Sequence, residues 1–172
     1  DKAIQKKLTA LLVDIIVNDS DMEIRKTAIT VIGDLKAEGA SGALIKALDD
    51  EAEDVRIAAC FAIGRLKTAE AKPALIELIK KQDLTKDSNL TDAIITALGD
   101  LGAPEIVPFA VEAIKDSKNS KMAREKLLLF IGKNGSAEQK DFLLEIYKDE
   151  EQEMLMRSYA VKSIAKLKIT AA

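Results

Sequence analysis

The stretch Asp54-Val55-Arg56-Ile57-Ala58-Ala59-Cys60-Phe61-Ala62-Ile63-Gly64-Arg65-Leu66 decides the fold. Val55, Ala59 and Ile63 recur four apart, which places them in one apolar stripe down a helix. The stripe runs into Gly64, and Arg56 stands eight residues before that glycine. The same frame returns along the chain when positions are counted back from Gly33, Gly64, Gly99, Gly132 and Ala165. Position −9 holds Ile24, Val55, Leu90, Ala123 and Met156. Position −5 holds Ala28, Ala59, Ile94, Leu127 and Ala160, and position −1 holds Ile32, Ile63, Leu98, Ile131 and Ile164. Position −8 holds Arg25, Arg56, Thr91, Arg124 and Arg157, so four of the five arginines share one phase. The anchors lie 31, 35, 33 and 33 residues apart. Self-similarity at this period marks an array of helical hairpins, in which each unit buries its apolar face against its neighbours.

Shorter amphipathic stretches at 43–48, 73–79, 106–114 and 142–147 alternate with these helices. Each unit is therefore predicted as helix A, a turn, helix B and a link. Gly39, Gly42, Gly102 and Gly135 are placed in links as helix-ending residues. Pro73 and Pro104 fit a first helical turn, where the missing N–H costs nothing, and Pro108 is expected to kink or restart its helix. Asp19, Asp21, Glu53 and Asp54 crowd the starts of B helices, where carboxylates cap the free N–H groups and meet the positive end of the helix.

The motif Asp-Val-Arg-x-x-Ala-x-x-Ala-Ile-Gly-x-Leu at 54–66 resembles the HEAT repeat, in its short bacterial form called PBS-lyase HEAT-like. Residues 23–35 match nearly as well, and the copies ending at Gly99, Gly132 and Ala165 are looser. The resemblance implies an all-α, right-handed α-α superhelix of about five helix pairs, with units near 1–37, 38–68, 69–102, 103–134 and 135–172. It also implies a structural ladder in which Arg25, Arg56, Arg124 and Arg157 pair with acidic residues near the A–B turn of a neighbouring unit. Asp19, Asp49, Asp50, Asp116 and Asp149 are the carboxylates at matching places, and Thr91 interrupts the ladder in the third unit. For function the resemblance is unspecific, because these repeats serve many roles.

Composition narrows the chemistry. The 172 residues contain no histidine, which removes His-based acid–base catalysis, His triads and His metal sites. No glycine-rich phosphate loop is present. The acidic runs at 49–54 and 149–153 precede B helices and read as caps, and neither has the spacing of a calcium loop. No catalytic residue, cofactor or metal is therefore assigned. Cys60 stands alone and aligns at position −4 with Ile29, Ile95, Leu128 and Val161, the phase of a small core residue. The net charge of −3 argues against a general nucleic-acid binder. Residues 115–172 are nonetheless net basic, with 12 cations against 9 anions, and Lys162, Lys166 and Lys168 fall close together. They read either as a solvated helix face or as a minor nucleic-acid contact. No stretch reaches membrane-spanning length. The compartment is not given by the sequence, with the cytoplasm as the default expectation. Asp1 rather than Met opens the chain, which leaves open a removed leader or further repeats before it.

Candidate binding residues follow from variability between copies. Positions −7, −3 and +1 lie four apart and change chemistry from unit to unit, so they are expected to form an exposed B-helix ridge and not the shared core. On that ridge Ile57, Phe61 and Leu129 are apolar, and Lys26, Arg65, Asp92 and Lys133 supply charge. Apolar anchors inside a charged rim are how protein interfaces concentrate energy. Phe61 has a second reading, packed between neighbouring helices, and Arg65 has one as a surface ion pair with Asp34 or Asp100. The expected function is a non-enzymatic scaffold for a protein or peptide. The alternatives are an accessory subunit of a bilin-lyase-like or chaperone-like complex and, more weakly, nucleic-acid contact by the lysine-rich end. Two mechanical expectations complete the reading. The long polar link at 81–89 is expected to be the most flexible. Helix 3–17, apolar over Leu11, Leu12, Val13, Ile15, Ile16 and Val17, is expected to meet further repeats, a partner or a second copy.

Overall fold

The structure is a computed structural model that describes residues 2–167. Asp1 and Lys168 lie outside the described residues. Ten α-helices and no strands are found among the described residues. They are α1 (Lys2–Asn18), α2 (Met22–Leu35), α3 (Ser41–Ala47), α4 (Glu53–Leu66), α5 (Lys72–Lys80), α6 (Asn89–Leu101), α7 (Val107–Lys115), α8 (Lys121–Asn134), α9 (Lys140–Lys148) and α10 (Met154–Lys166). The B helices of the sequence frame are α2, α4, α6, α8 and α10.

The chain divides into two compact units. The first holds residues 2–81 and 96–101, and the second holds 82–95 and 102–167. In the first, α1 packs on α2 and α3, α3 packs on α4, and the B helices α2 and α4 lie side by side. In the second, α7 packs on α8, α9 on α10, and α8 on α10. All five residues at position −5 are buried, as the stripe predicts. Position −1 is buried in four units, and Ile164 is half-buried.

Two apolar positions depart from the frame. Ile24 is 47% exposed although its counterparts Val55, Leu90, Ala123 and Met156 are at most 5% exposed. Val161 is 46% exposed although Ile29, Cys60, Ile95 and Leu128 are at most 4% exposed. The stripe faces are apolar as read, but the described residues leave them about half exposed there.

Local chemistry explains the helix ends. Asp21 caps α2 by accepting from the N–H groups of Glu23 and Ile24. Ser88 and Ser120 do the same for α6 and α8, through Thr91 and Ala123. Pro73 sits in the first turn of α5. Pro104 opens a single 3₁₀ turn, and Pro108 lies in the first turn of α7, where it restarts the helix. Matching 3₁₀ turns at Ala69–Ala71 and Ala137–Gln139 lead into α5 and α9, a recurrence the sequence reading did not anticipate. Gly42 lies inside α3 and does not end a helix. The ends of α2 and α4 fall instead on Lys36 (φ 49°) and Lys67 (φ 56°), in the left-handed region. There Ala37 N–H reaches Ile32 O at 3.1 Å and Thr68 N–H reaches Ile63 O at 3.1 Å, the bonds that close a Schellman turn. The long link enters the second unit with Leu84 buried, and its carbonyl accepts Ser120 N–H at 2.7 Å.

Cys60 is fully buried in α4, and burial pushes its thiol up to about 12. The thiol is therefore neutral and shielded at physiological pH. Aromatic disulfide reagents should leave it unmodified in the folded chain and react promptly once the chain is unfolded in denaturant, a difference read by absorbance of the released thiolate.

Candidate functional site

The ridge positions face solvent where the first unit presents them. Lys26, Thr30 and Gly33 of α2 and Asp54, Ile57, Ala58, Phe61, Ala62 and Arg65 of α4 line a groove of about 400 Å³. Its floor depends on close helix approach. Gly33 brings no side chain to the seam, and a Cβ built there would lie 3.4 Å from the Cβ of Ala62. The larger side chains at −7, −3 and +1 then stand above the floor on both helices. Phe61 is 49% exposed, which selects the open reading over the packed one, and Ile57 is half-buried beside it.

Ion pairs close both ends of this apolar centre. At one end Lys26 Nζ lies 2.7 Å from Glu23 and 4.0 Å from Asp54. The hydrogen bond to Glu23 raises the Lys26 pKa against the opposing cost of burial. At the other end Arg65 pairs with Asp34 across the seam. Since Lys26 meets Asp54 and Asp34 meets Arg65, α2 and α4 run parallel. Four of the predicted binding residues, Lys26, Ile57, Phe61 and Arg65, thus come together in one groove. The other three belong to the second unit. Asp92 in α6 receives Lys126 Nζ, which lies 2.9 Å from Oδ1 and 3.0 Å from Oδ2, with the hydrogen bond to Oδ2. Leu129 is half-buried and Lys133 exposed on α8.

The arginines at position −8 are placed as follows. Arg25 is buried and forks onto Asp50, with Nε to Oδ2 and Nη2 to Oδ1, both at 2.8 Å. Its Nη1 donates to the carbonyls of Asp19 and Ser20, each at 3.0 Å. Arg56 repeats the second half of this arrangement, with Nη1 donating to the carbonyls of Asp50 (2.7 Å) and Glu51 (3.0 Å). Arg157 Nε donates to Tyr147 O at 2.9 Å. In the second unit Arg124 Nε and the buried hydroxyl of Thr91 have no hydrogen-bond partner among the described residues. Of the two adjacent candidates, Asp50 holds the fork and Asp49 is exposed. A further aspartate, Asp83, was missed. It shares the local geometry of Asp19, Asp50, Asp116 and Asp149, each of which accepts the N–H two residues on. That recurring Asp-x-(N–H) turn was the available signal.

The fork from Arg25 holds the Asp50 carboxyl below its ordinary 3.8, against the cost of burial, and the N–H of Ala52 adds to it. A lowered folded-state pKa gives stability that is complete above the unfolded value and is lost as pH falls through the folded one. Asp50→Asn should therefore lower stability at neutral pH and flatten the acid limb below about pH 3.8. Urea midpoints measured from neutral pH downward check both.

Residues 9–86 match the family model of HEAT repeats. Residues 9–86 carry HEAT repeats. Two solved structures share its fold. One is from the complex of CpcE and CpcF of phycocyanin lyase from Nostoc sp. PCC7120, at 19% identity and a TM-score of 0.65, covering 92% of this chain and 64% of that one. The other is human deoxyhypusine hydroxylase in complex with glycerol, at 16% identity and a TM-score of 0.62, covering 96% of this chain and 65% of that one. The chain spans less than two thirds of either, and at these identities the likeness is one of fold. No curated protein matches the sequence. No helix among the described residues is long and apolar enough to cross a membrane.

Proposed function

We propose that this HEAT-repeat chain is a non-enzymatic scaffold that holds an extended or helical segment of a partner protein in the groove between α2 and α4. Phe61 and Ile57 are the anchors, and Lys26 and Arg65 set the register at the two ends. The observation that carries this reading is a half-exposed phenylalanine centred in an apolar groove of about 400 Å³ closed by ion pairs at each end. A free aromatic ring in such a setting gains most when a partner desolvates it. In the second unit, taken by itself, Asp92, Leu129 and Lys133 are secondary candidate contacts. The absence of histidine supports a binding role over catalysis.

A second reading is favoured by one likeness. The phycocyanin-lyase relative is a complex of two proteins, CpcE and CpcF, so an accessory subunit acting through a protein partner is the runner-up. The lysine-rich end supports nucleic-acid contact less well. Lys162 Nζ lies 5.1 Å from the Tyr159 ring, an arrangement that needs no ligand. Panning a displayed peptide library against the chain tests the main reading. Enrichment of apolar anchors flanked by charge, lost with Phe61→Ala, supports it. A wild type that selects nothing, or selects identically with the variant, rejects this groove.

A further inference from the structure

The internal seams of this chain specify what fits its two open faces. Where one B helix follows another in the first unit, position −9 of the later helix is buried (Val55, 0% exposed) and the Arg at −8 of the earlier helix forks onto the Asp at −14 of the later unit. That pair is Arg25 and Asp50, counted from Gly33 and Gly64. Ile24 and Val161 are the −9 and −4 positions at which this burial fails. Each stands beside one half of an unmade fork.

Asp19 is the −14 residue of α2 and is built like Asp50. Its Oδ1 accepts Asp21 N–H at 2.9 Å, as Asp50 Oδ1 accepts Ala52 N–H at 2.9 Å. Its carbonyl accepts Nη1 of Arg25, as the carbonyl of Asp50 accepts Nη1 of Arg56. What Asp50 has and Asp19 lacks, among the described residues, is the incoming guanidinium. Arg157 is the −8 residue of α10. It donates Nε to Tyr147 O and lies 5.9 Å from the Tyr147 ring, and no carboxylate pairs with it among the described residues. Beside it, Tyr147, Met154, Ser158 and Val161 complete a cleft of about 210 Å³. Met154 is 85% exposed there. In the first unit α2 carries Ile24, 47% exposed, and α1 the stripe Ile4, Leu8 and Leu11.

We infer that α10 of one copy docks on α2 of a second copy, head to tail. Arg157 forks onto the partner's Asp19, and the partner's Ile24 enters the cleft beside Val161. The charges are complementary, the apolar residues are adjacent to them on both sides, and the Arg25–Asp50 seam supplies the geometry. Such a contact joins two different faces, so it propagates into a run of copies or closes as a ring.

Sedimentation equilibrium of the full 172-residue chain over a wide concentration range tests this. The expected result is a weight-average mass that rises above that of one chain. Asp19→Arg or Arg157→Asp alone should weaken association by roughly 30-fold or more, since each places like charges at the contact. The D19R and R157D proteins mixed together should associate again, because each then supplies the charge the other lacks. Ile24→Ser should weaken association without touching the fork. Asp19→Arg removes the bond from Asp21 N–H and Arg157→Asp removes the bond to Tyr147 O, so circular dichroism and urea midpoints of each variant are read beside sedimentation, and recovery in the mixture separates a lost contact from a lost fold. A mass of one chain at every concentration overturns the proposal, as does wild-type association in the single variants or no recovery in the mixture.

Discussion

Gly132→Ala is expected to destabilise the second unit by about 2 kcal/mol, while the same change at Gly33 should be neutral or stabilising. Both glycines are anchors of the repeat and both lie within B helices, so sequence alone ranks them equal. The seams do not. A Cβ at Gly132 would lie 2.5 Å from Ser163 Oγ and 2.9 Å from both Ser163 Cα and Cβ. Backbone atoms cannot rotate away, so α10 must move off α8. The Ser163 hydroxyl would also lose its place. It is 1% exposed and donates to Leu128 O at 3.0 Å, and a buried hydroxyl left without a partner adds its own cost of about 1–3 kcal/mol. At Gly33 the nearest atom is the Cβ of Ala62 at 3.4 Å, an ordinary contact. There alanine adds helix propensity worth about 0.5–1 kcal/mol over glycine. Gly64 should fall between, with Asp100 Oδ2 at 3.0 Å and Ala97 Cα at 3.4 Å. Urea midpoints of the three variants give the order directly. Combining Gly132→Ala with Ser163→Gly should recover part of the loss by removing the clashing Cβ and hydroxyl. Equal effects at all three glycines would mean that the seams relax freely and that the anchors do not set helix spacing.

The same contrast shows what the sequence could and could not specify. A four-residue apolar period is a property of one helix, and it identified the core face of α2, α4, α6, α8 and α10. It says nothing of whether a neighbour covers that face. Ile24 and Val161 therefore read as core and stand open. Distinguishing Asp50 from Asp49 needed the turn that brings one carboxylate to Ala52 N–H and turns the other to solvent. Lys36 and Lys67 end helices in a conformation usually left to glycine, because the bonds of the closing turn offset a strain of about 1–2 kcal/mol. No residue-type signal announces that. The groove was more legible than these details. Variation at −7, −3 and +1 marked a face under no shared packing constraint, and Lys26, Ile57, Phe61 and Arg65 do gather there. The exposure of Phe61 was not legible, since a phenylalanine at a ridge position is compatible with either burial between helices or display above them.

That display gives the second large effect. Phe61→Ala should cost the scaffold at least 2 kcal/mol of partner affinity, about 30-fold, while changing its own stability little. The argument rests on where the ring already is. At 49% exposure it has forfeited much of the burial that a core phenylalanine enjoys, so truncation removes little from the folded chain. Phe130 makes the opposite control. It is 4% exposed in α8, and its truncation should cost about 3–5 kcal/mol of stability. A partner that covers the Phe61 ring completes the desolvation that folding left undone, so the lost contact appears in binding. Ile57→Ala should act in the same direction and more weakly, because Ile57 is already half-buried against the floor. Charge at the ends behaves differently. Arg65 and Lys26 are held by Asp34 and Glu23 in the free chain, so a partner must compete with existing pairs. Their replacement should alter association rate and salt dependence more than affinity. Calorimetric titration of a selected peptide into wild type, F61A, I57A and R65A, beside urea melts of each, separates the cases. If Phe61→Ala lowered stability as much as Phe130→Ala and left peptide affinity intact, the ring would be a structural element and the groove would have to be given up as the binding site.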